Sequence, residues 1–139
     1  MAGFTPNEGE ALVADMVYKR DLDDRAADLQ LGLFTNASVT ETTNSTDITQ
    51  PVGTGTTVKT LGDTSWTGAA DVRAFAQQTF TNTGSTTWGG TVKGYFIRTI
   101  LSTEPGSAAR LLHVEVDTNG PYTMAVNDTY DITPNNTVA

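Results

Sequence analysis

The spacing of apolar residues changes once along the chain. Leu12, Val13, Met16 and Val17 recur at three- and four-residue steps, which predicts an amphipathic helix over about residues 7–20. Asn7 is placed to cap it, with Glu10 three residues later as in a capping box, and the early acids suit the positive end of the helix dipole. The polar run Asp21-Leu22-Asp23-Asp24-Arg25 then breaks the pattern. From Asp28 the period becomes two. Leu29, Leu31 and Leu33 fall on one face and Gln30, Gly32 and Phe34 on the other, which predicts a strand. Val92 to Leu101 carries apolar groups on both faces, so it is expected to be a central strand.

Other strands are expected at Thr57 to Leu61, Val72 to Phe80, Leu111 to Val116, Tyr122 to Val126 and Thr129 to Thr133. Turn-forming residues separate them, at Asn82 to Gly90, Ser102 to Ser107, Asp117 to Pro121 and Asn127-Asp128. Thr35 to Gly55 is rich in Thr, Asn, Ser and Gly, with only Val39, Ile48 and Val52 as apolar anchors. It reads as a surface loop or edge ribbon and as a candidate contact segment. Many short strands with regular turns predict a mainly β chain, an antiparallel β-sandwich or barrel of jelly-roll-like kind, with one short N-terminal amphipathic helix. Residues 1–28 form an arm and helix that packs on the β domain or on a partner, and residues 29–139 form a single antiparallel β domain.

Composition narrows the function more than it identifies it. Thr takes about one position in five after residue 28, and β-branched Thr suits a pleated surface. The apolar share is 37% and the mean hydropathy is -0.25, modest for a lone globule, so part of the core is expected between subunits. The net charge of -8 repels phosphate backbones and anionic membranes, which argues against nucleic-acid and membrane partners. The opening Met1-Ala2-Gly3-Phe4-Thr5-Pro6 lacks a signal-peptide pattern, and no stretch of apolar residues is long enough to span a bilayer. Synthesis in the cytoplasm is therefore expected. There is no cysteine, hence no disulfide, thiolate nucleophile or Cys-bound zinc.

Candidate chemistry is sparse. His113, the single histidine, lies mid-strand and needs a neighbouring Ser or Asp to act as a base. Asp21, Asp23, Asp24 and Asp28 gather oxygens but lack the glycine that a calcium loop requires, and Arg25 intrudes. Asp117-Thr118-Asn119-Gly120 is foremost a turn. Glu104, Glu115, Asp117 and Asp131 are the carboxylates from which a glycosidase pair would have to come. Asn36, Asn44 and Asn127 begin glycosylation-type triplets that a chain this rich in Asn and Thr generates by chance. No catalytic residue, cofactor or metal is expected from this set. Phe75, Phe80, Tyr95 and Phe96 read as core, whereas Trp66 and Trp88 sit in turn-rich surroundings where a large ring plugs a barrel end or anchors a subunit contact.

Four segments together resemble a known class. These are Asn7-Glu8-Gly9-Glu10-Ala11-Leu12-Val13 on the opening helix, Leu29-Gln30-Leu31-Gly32-Leu33-Phe34-Thr35-Asn36 as first strand, Gly94-Tyr95-Phe96-Ile97 as central strand, and Asn127-Asp128-Thr129 before a closing strand. Over about residues 4–138 the chain is similar to small virion proteins of tailed bacteriophages, in which a short helix precedes a compact β domain. The resemblance implies a non-enzymatic capsid cement or decoration subunit, located on the capsid surface and bound to the assembled major capsid protein. A tail or tail-fibre subunit binding another virion protein or a surface glycan is the alternative. A homo-oligomer is expected, a trimer before a dimer. Phe4, Leu12, Met16, Val17, Trp66 and Trp88 are the expected partner contacts.

Overall fold

The period-two stretch beginning at residue 28 forms the strand around which the sheet is built. A computed structural model describes residues 2–14, 28–62, 66–68, 72–99 and 109–137. Its elements in chain order are β1 (Ala2–Phe4), α1 (Asn7–Ala14), β2 (Asp28–Phe34), a 3-10 turn (Ser45–Asp47), β3 (Lys59–Gly62), β4 (Val72–Ala74), β5 (Gln78–Thr81), β6 (Gly94–Thr99), β7 (Arg110–Val116), β8 (Thr129–Ile132) and β9 (Asn135–Thr137). The chain is mainly β and every described pairing is antiparallel. Its fold is sandwich-like, as the alternation predicts.

The main sheet runs β1-β7-β6-β2-β3, so the doubly apolar strand β6 is central. Leu31 lies opposite Ile97 and Leu33 opposite Tyr95, and all four are buried on the inner face. A second layer covers this face. Residues 72–81 run antiparallel to 129–137 through β4–β9, a Phe75 to Pro134 backbone bond and β5–β8. Beyond that, Trp88 bonds Met124 and Val92 exchanges both bonds with Tyr122. Phe80, Trp88, Val92, Met124, Tyr130 and Ile132 of this layer pack on Leu31, Leu33, Leu61, Tyr95 and Ile97. That interface is the main core.

Phe34, Phe96, Leu111 and Val114 occupy the opposite face, with Phe4, Val39, Ile48 and Val58 packed over them. The stretch 35–58 is thus a cover layer, more closely tied down than a loose ribbon. Asn36 ties its start to its middle, donating to Asp47 O (2.8 Å) and accepting from Thr49 N (2.8 Å). Short polar side chains bonding to nearby backbone are what stabilise such a segment without a ladder.

Gly32 shows how tightly this second face is packed. It lies opposite Phe96, and a Cβ at residue 32 would come within 2.4 Å of the Phe96 Cζ atom. The ring lies across the glycine, the arrangement by which an aromatic shields a bare strand position. Gly32→Ala is therefore expected to cost about 1–3 kcal/mol through overpacking against a fully buried ring. Urea unfolding followed by tryptophan fluorescence measures it.

Three expectations are adjusted. The strand expected over 72–80 is two short strands, because residues 75–77 leave the ladder, although both pair with the same partner stretch. Tyr122 to Val126 keeps only the bridge at Tyr122. Ala125 N donates to Asp128 Oδ2 (2.8 Å) and Asn127 adopts φ 70°, which turns the chain. α1 is described as far as Ala14, and its first carbonyl is that of Pro6, which accepts from Gly9 and Glu10. Pro6 rather than Asn7 is thus the flanking residue, since Asn7 N is bonded to Glu41 O (2.8 Å).

Candidate functional site

Ionisable side chains converge on the inner face of β7. Strand alternation puts His113, Glu115 and the following Asp117 on one side at steps of two. Tyr95 lies directly opposite Glu115 on β6 and donates its hydroxyl to Glu115 Oε2 at 2.7 Å. His113 Nε2 approaches the same oxygen at 3.4 Å, and the His113 and Tyr95 rings lie 5.8 Å apart. One step on, Tyr130 of β8 donates to Asp117 Oδ2 (2.8 Å), with the Tyr122 ring tilted against it at a centroid distance of 5.5 Å. Glu115 is thus held by the Tyr95 phenol and Asp117 by that of Tyr130.

The electrostatics follow from burial. His113 is 7% exposed, and loss of solvation holds its imidazole below the ordinary histidine range, against the upward pull of the Glu115 bond and charge. Burial, then the bond to Asp117, pushes the Tyr130 phenol far above its usual value. At neutral pH the site thus holds a neutral imidazole and a protonated Tyr130 phenol, both paired. A general base must reach a proton on its substrate, and here the imidazole faces Glu115 and the backbone of β1. The arrangement braces β6, β7 and β8 together. Tyr95→Phe is expected to cost about 1–3 kcal/mol, because it removes the hydroxyl that satisfies a buried Glu115 oxygen. Thermal unfolding at pH 7 checks this.

The predicted partner contacts are dispersed. Phe4 sits on β1, half-buried against the Phe34–Phe96 cluster. Leu12 lies in α1, while Met16 and Val17 fall outside the described residues, as do Asp21, Asp23, Asp24, Arg25 and Glu104. Trp66 is half-buried and meets Phe75 edge-on, with centroids 5.3 Å apart. Trp88 is an internal residue. It is 3% exposed and donates Nε1 to Thr54 O (2.9 Å), so it plugs its own core. Asp131 accepts from Thr79 Oγ1 across the β5–β8 pair.

No protein-family model matches the chain, and no curated protein matches it. Among the described residues no group of three His, Asp or Glu is placed to hold a metal ion, and no helix is long and apolar enough to cross a membrane.

Sequence reasoning passed over the residue that joins the two candidate contact segments. Glu8 Oε2 accepts from Ser45 N (2.9 Å) in the 3-10 turn and from Leu111 N (3.0 Å) in β7. Leu111 adjoins the register shift between β6 and β7, where the ladder is locally interrupted. Asn7 N bonds Glu41 O, and Ser45 Oγ donates to Ala109 O. Residues 7–11 and 41–47 therefore share one surface, on which Glu10, Glu41 and Asp47 are exposed. An acid in a first helical turn reads as a dipole partner, and nothing local marks a contact 103 residues away.

Proposed function

We propose that this chain is a non-enzymatic structural subunit of a tailed-phage particle, a cement or decoration protein that binds the assembled major capsid protein as a homo-oligomer, a trimer before a dimer. The observation that carries this reading is the joining of two distant segments, 7–11 and 41–47, into one bonded surface by Glu8 and Asn7. A lattice-binding subunit needs such a preorganised face, because ordering loops on contact costs affinity at every copy. The carboxylates of Glu8, Glu115, Asp117, Asp128 and Asp131 each accept a bond that holds the fold, which suits a scaffold. The resemblance of the strand and helix segments to small virion proteins supports the same reading.

Mass action and avidity would supply the stabilisation, since many copies bind only the assembled shell. Purified protein is to be mixed with capsids lacking it, sedimented and counted. Saturable binding at a fixed copy number per lattice position is expected. Against a basic capsid surface the exposed acids predict binding that weakens between about 50 and 500 mM salt, as screening shortens the Debye length. Absence of binding while the solution oligomer persists overturns the reading. In that event the tail-subunit alternative applies, with the half-buried Trp66–Phe75 pair as the aromatic surface for a virion protein or glycan.

A further inference from the structure

We propose that β1 is an acid-released latch: uptake of a proton at His113 frees residues 2–4 from the edge of the main sheet. The observation is steric as well as electrostatic. β1 pairs with β7 so that Gly3 lies opposite Glu115. A Cβ on Gly3 would fall 2.1 Å from His113 Cε1 and 2.3 Å from Nε2. The imidazole edge therefore occupies the space that a side chain at residue 3 would take, and β1 is its lid. The sequence Ala2-Gly3-Phe4 places its only glycine there and sends Phe4 to the opposite face of the sheet.

The other groups around the imidazole are Glu115 on β7, Tyr95 on β6, and Tyr130 with Asp117 beyond Glu115. β1 contributes no titratable group. A proton on His113 creates a buried imidazolium whose pairing with Glu115, the close carboxylate among the described residues, does not offset the lost solvation, so burial keeps that charged form disfavoured. Hydrating it requires an opening. β6 and β8 are held by the core on the far side, whereas β1 is three residues at the sheet edge, where local opening is easiest.

The sign follows from linkage. Folded His113 binds its proton below the unfolded value of about 6.5, so the released form takes up protons first as pH falls. The latch is fully closed above about pH 6.5, weakens as pH drops from there to the folded pKa, and levels off below it. One proton gives a tenfold loss of closure for each pH unit inside that window.

Residue-resolved hydrogen exchange, corrected for intrinsic rates, tests this on the full chain alongside the His113 ring titration by NMR. The protected β1 amides should lose tenfold protection per pH unit from about pH 6.5 down to the pH at which the His113 ring titrates, and no more below it, while β6 amides at Phe96 and Ile97 keep theirs. In His113→Gln the β1 protection should become flat over the same range. Protection independent of pH, or falling equally in His113→Gln, overturns the proposal. A readout that does not depend on that variant is the chain lacking residues 1–4. There His113 should titrate near about 6.5, and an unchanged, depressed titration would also overturn it. The inference is independent of the particle assignment, because loss of capsid binding leaves the β1 measurement intact.

Discussion

Replacing Trp88 with alanine is expected to destabilise the chain by about 3–5 kcal/mol, the usual range for deleting a buried aromatic ring. For a domain of this size that corresponds to a fall in Tm of roughly 10 to 20 °C. Three features put Trp88 at the high end. The ring is 3% exposed and lies in the cluster with Phe80, Met124 and Val92. Its indole nitrogen closes the second layer onto the cover segment through Thr54 O. The chain beside that contact is crowded: a Cβ on Gly55 would come within 1.9 Å of Thr81 O, so this part of the lining already abuts its neighbour and has little room to move into the cavity. Trp88→Phe keeps most of the volume and loses the bond, for about 1 kcal/mol beyond its packing loss.

The comparison that matters is between unfolding and assembly. If Trp88 anchored a subunit contact, Trp88→Ala would weaken association while the free chain melted unchanged. The burial predicts the reverse: the melting temperature falls at every protein concentration, and any loss of association follows from unfolding. Calorimetry at two concentrations, with sedimentation velocity on the same samples, separates the two.

Trp88 also marks where sequence reading stopped. The period-two stretch from residue 28 and the doubly apolar stretch through Tyr95, Phe96 and Ile97 carry their own register. A one-residue slip would move Leu31 and Leu33 out of the core, so the pattern alone identified β2 and a central β6. The neighbours of Trp88 in sequence are Thr, Gly and Gly, and they say nothing of burial. The ring is covered by residues 53–55 and 124, brought there by pairings that local composition does not encode. β1 was hidden for the same reason. Three residues have no period, and their strand character comes entirely from the β7 edge they meet. The His113–Glu115–Tyr95 cluster was half legible. The spacing of two placed His113 and Glu115 on one face, but the phenol between them came from the strand opposite.

Glu8→Ala is the second large effect, expected to cost about 2–6 kcal/mol. It strands two part-buried backbone donors at once, Ser45 N and Leu111 N, and each unsatisfied group costs about 1–3 kcal/mol. Water cannot readily replace the carboxylate, because α1 lies so close to β7 that a Cβ on Gly9 would approach Leu111 O to 2.6 Å. Glu8→Gln provides the control. Its carbonyl oxygen can still accept from both donors, so only the charge assistance is lost, at about 1 kcal/mol. Urea unfolding should rank wild type above Glu8→Gln and both well above Glu8→Ala. Hydrogen exchange should show the loss first at the Leu111 amide. Equal stability of Glu8→Ala and wild type would mean that the two donors find other acceptors and that Glu8 is not the staple. Capsid sedimentation then reads the consequence for binding. At a temperature where Glu8→Ala remains folded, a preorganised face predicts weaker capsid binding, because residues 41–47 must be ordered on contact. A partner that grips only the β core would bind both proteins alike.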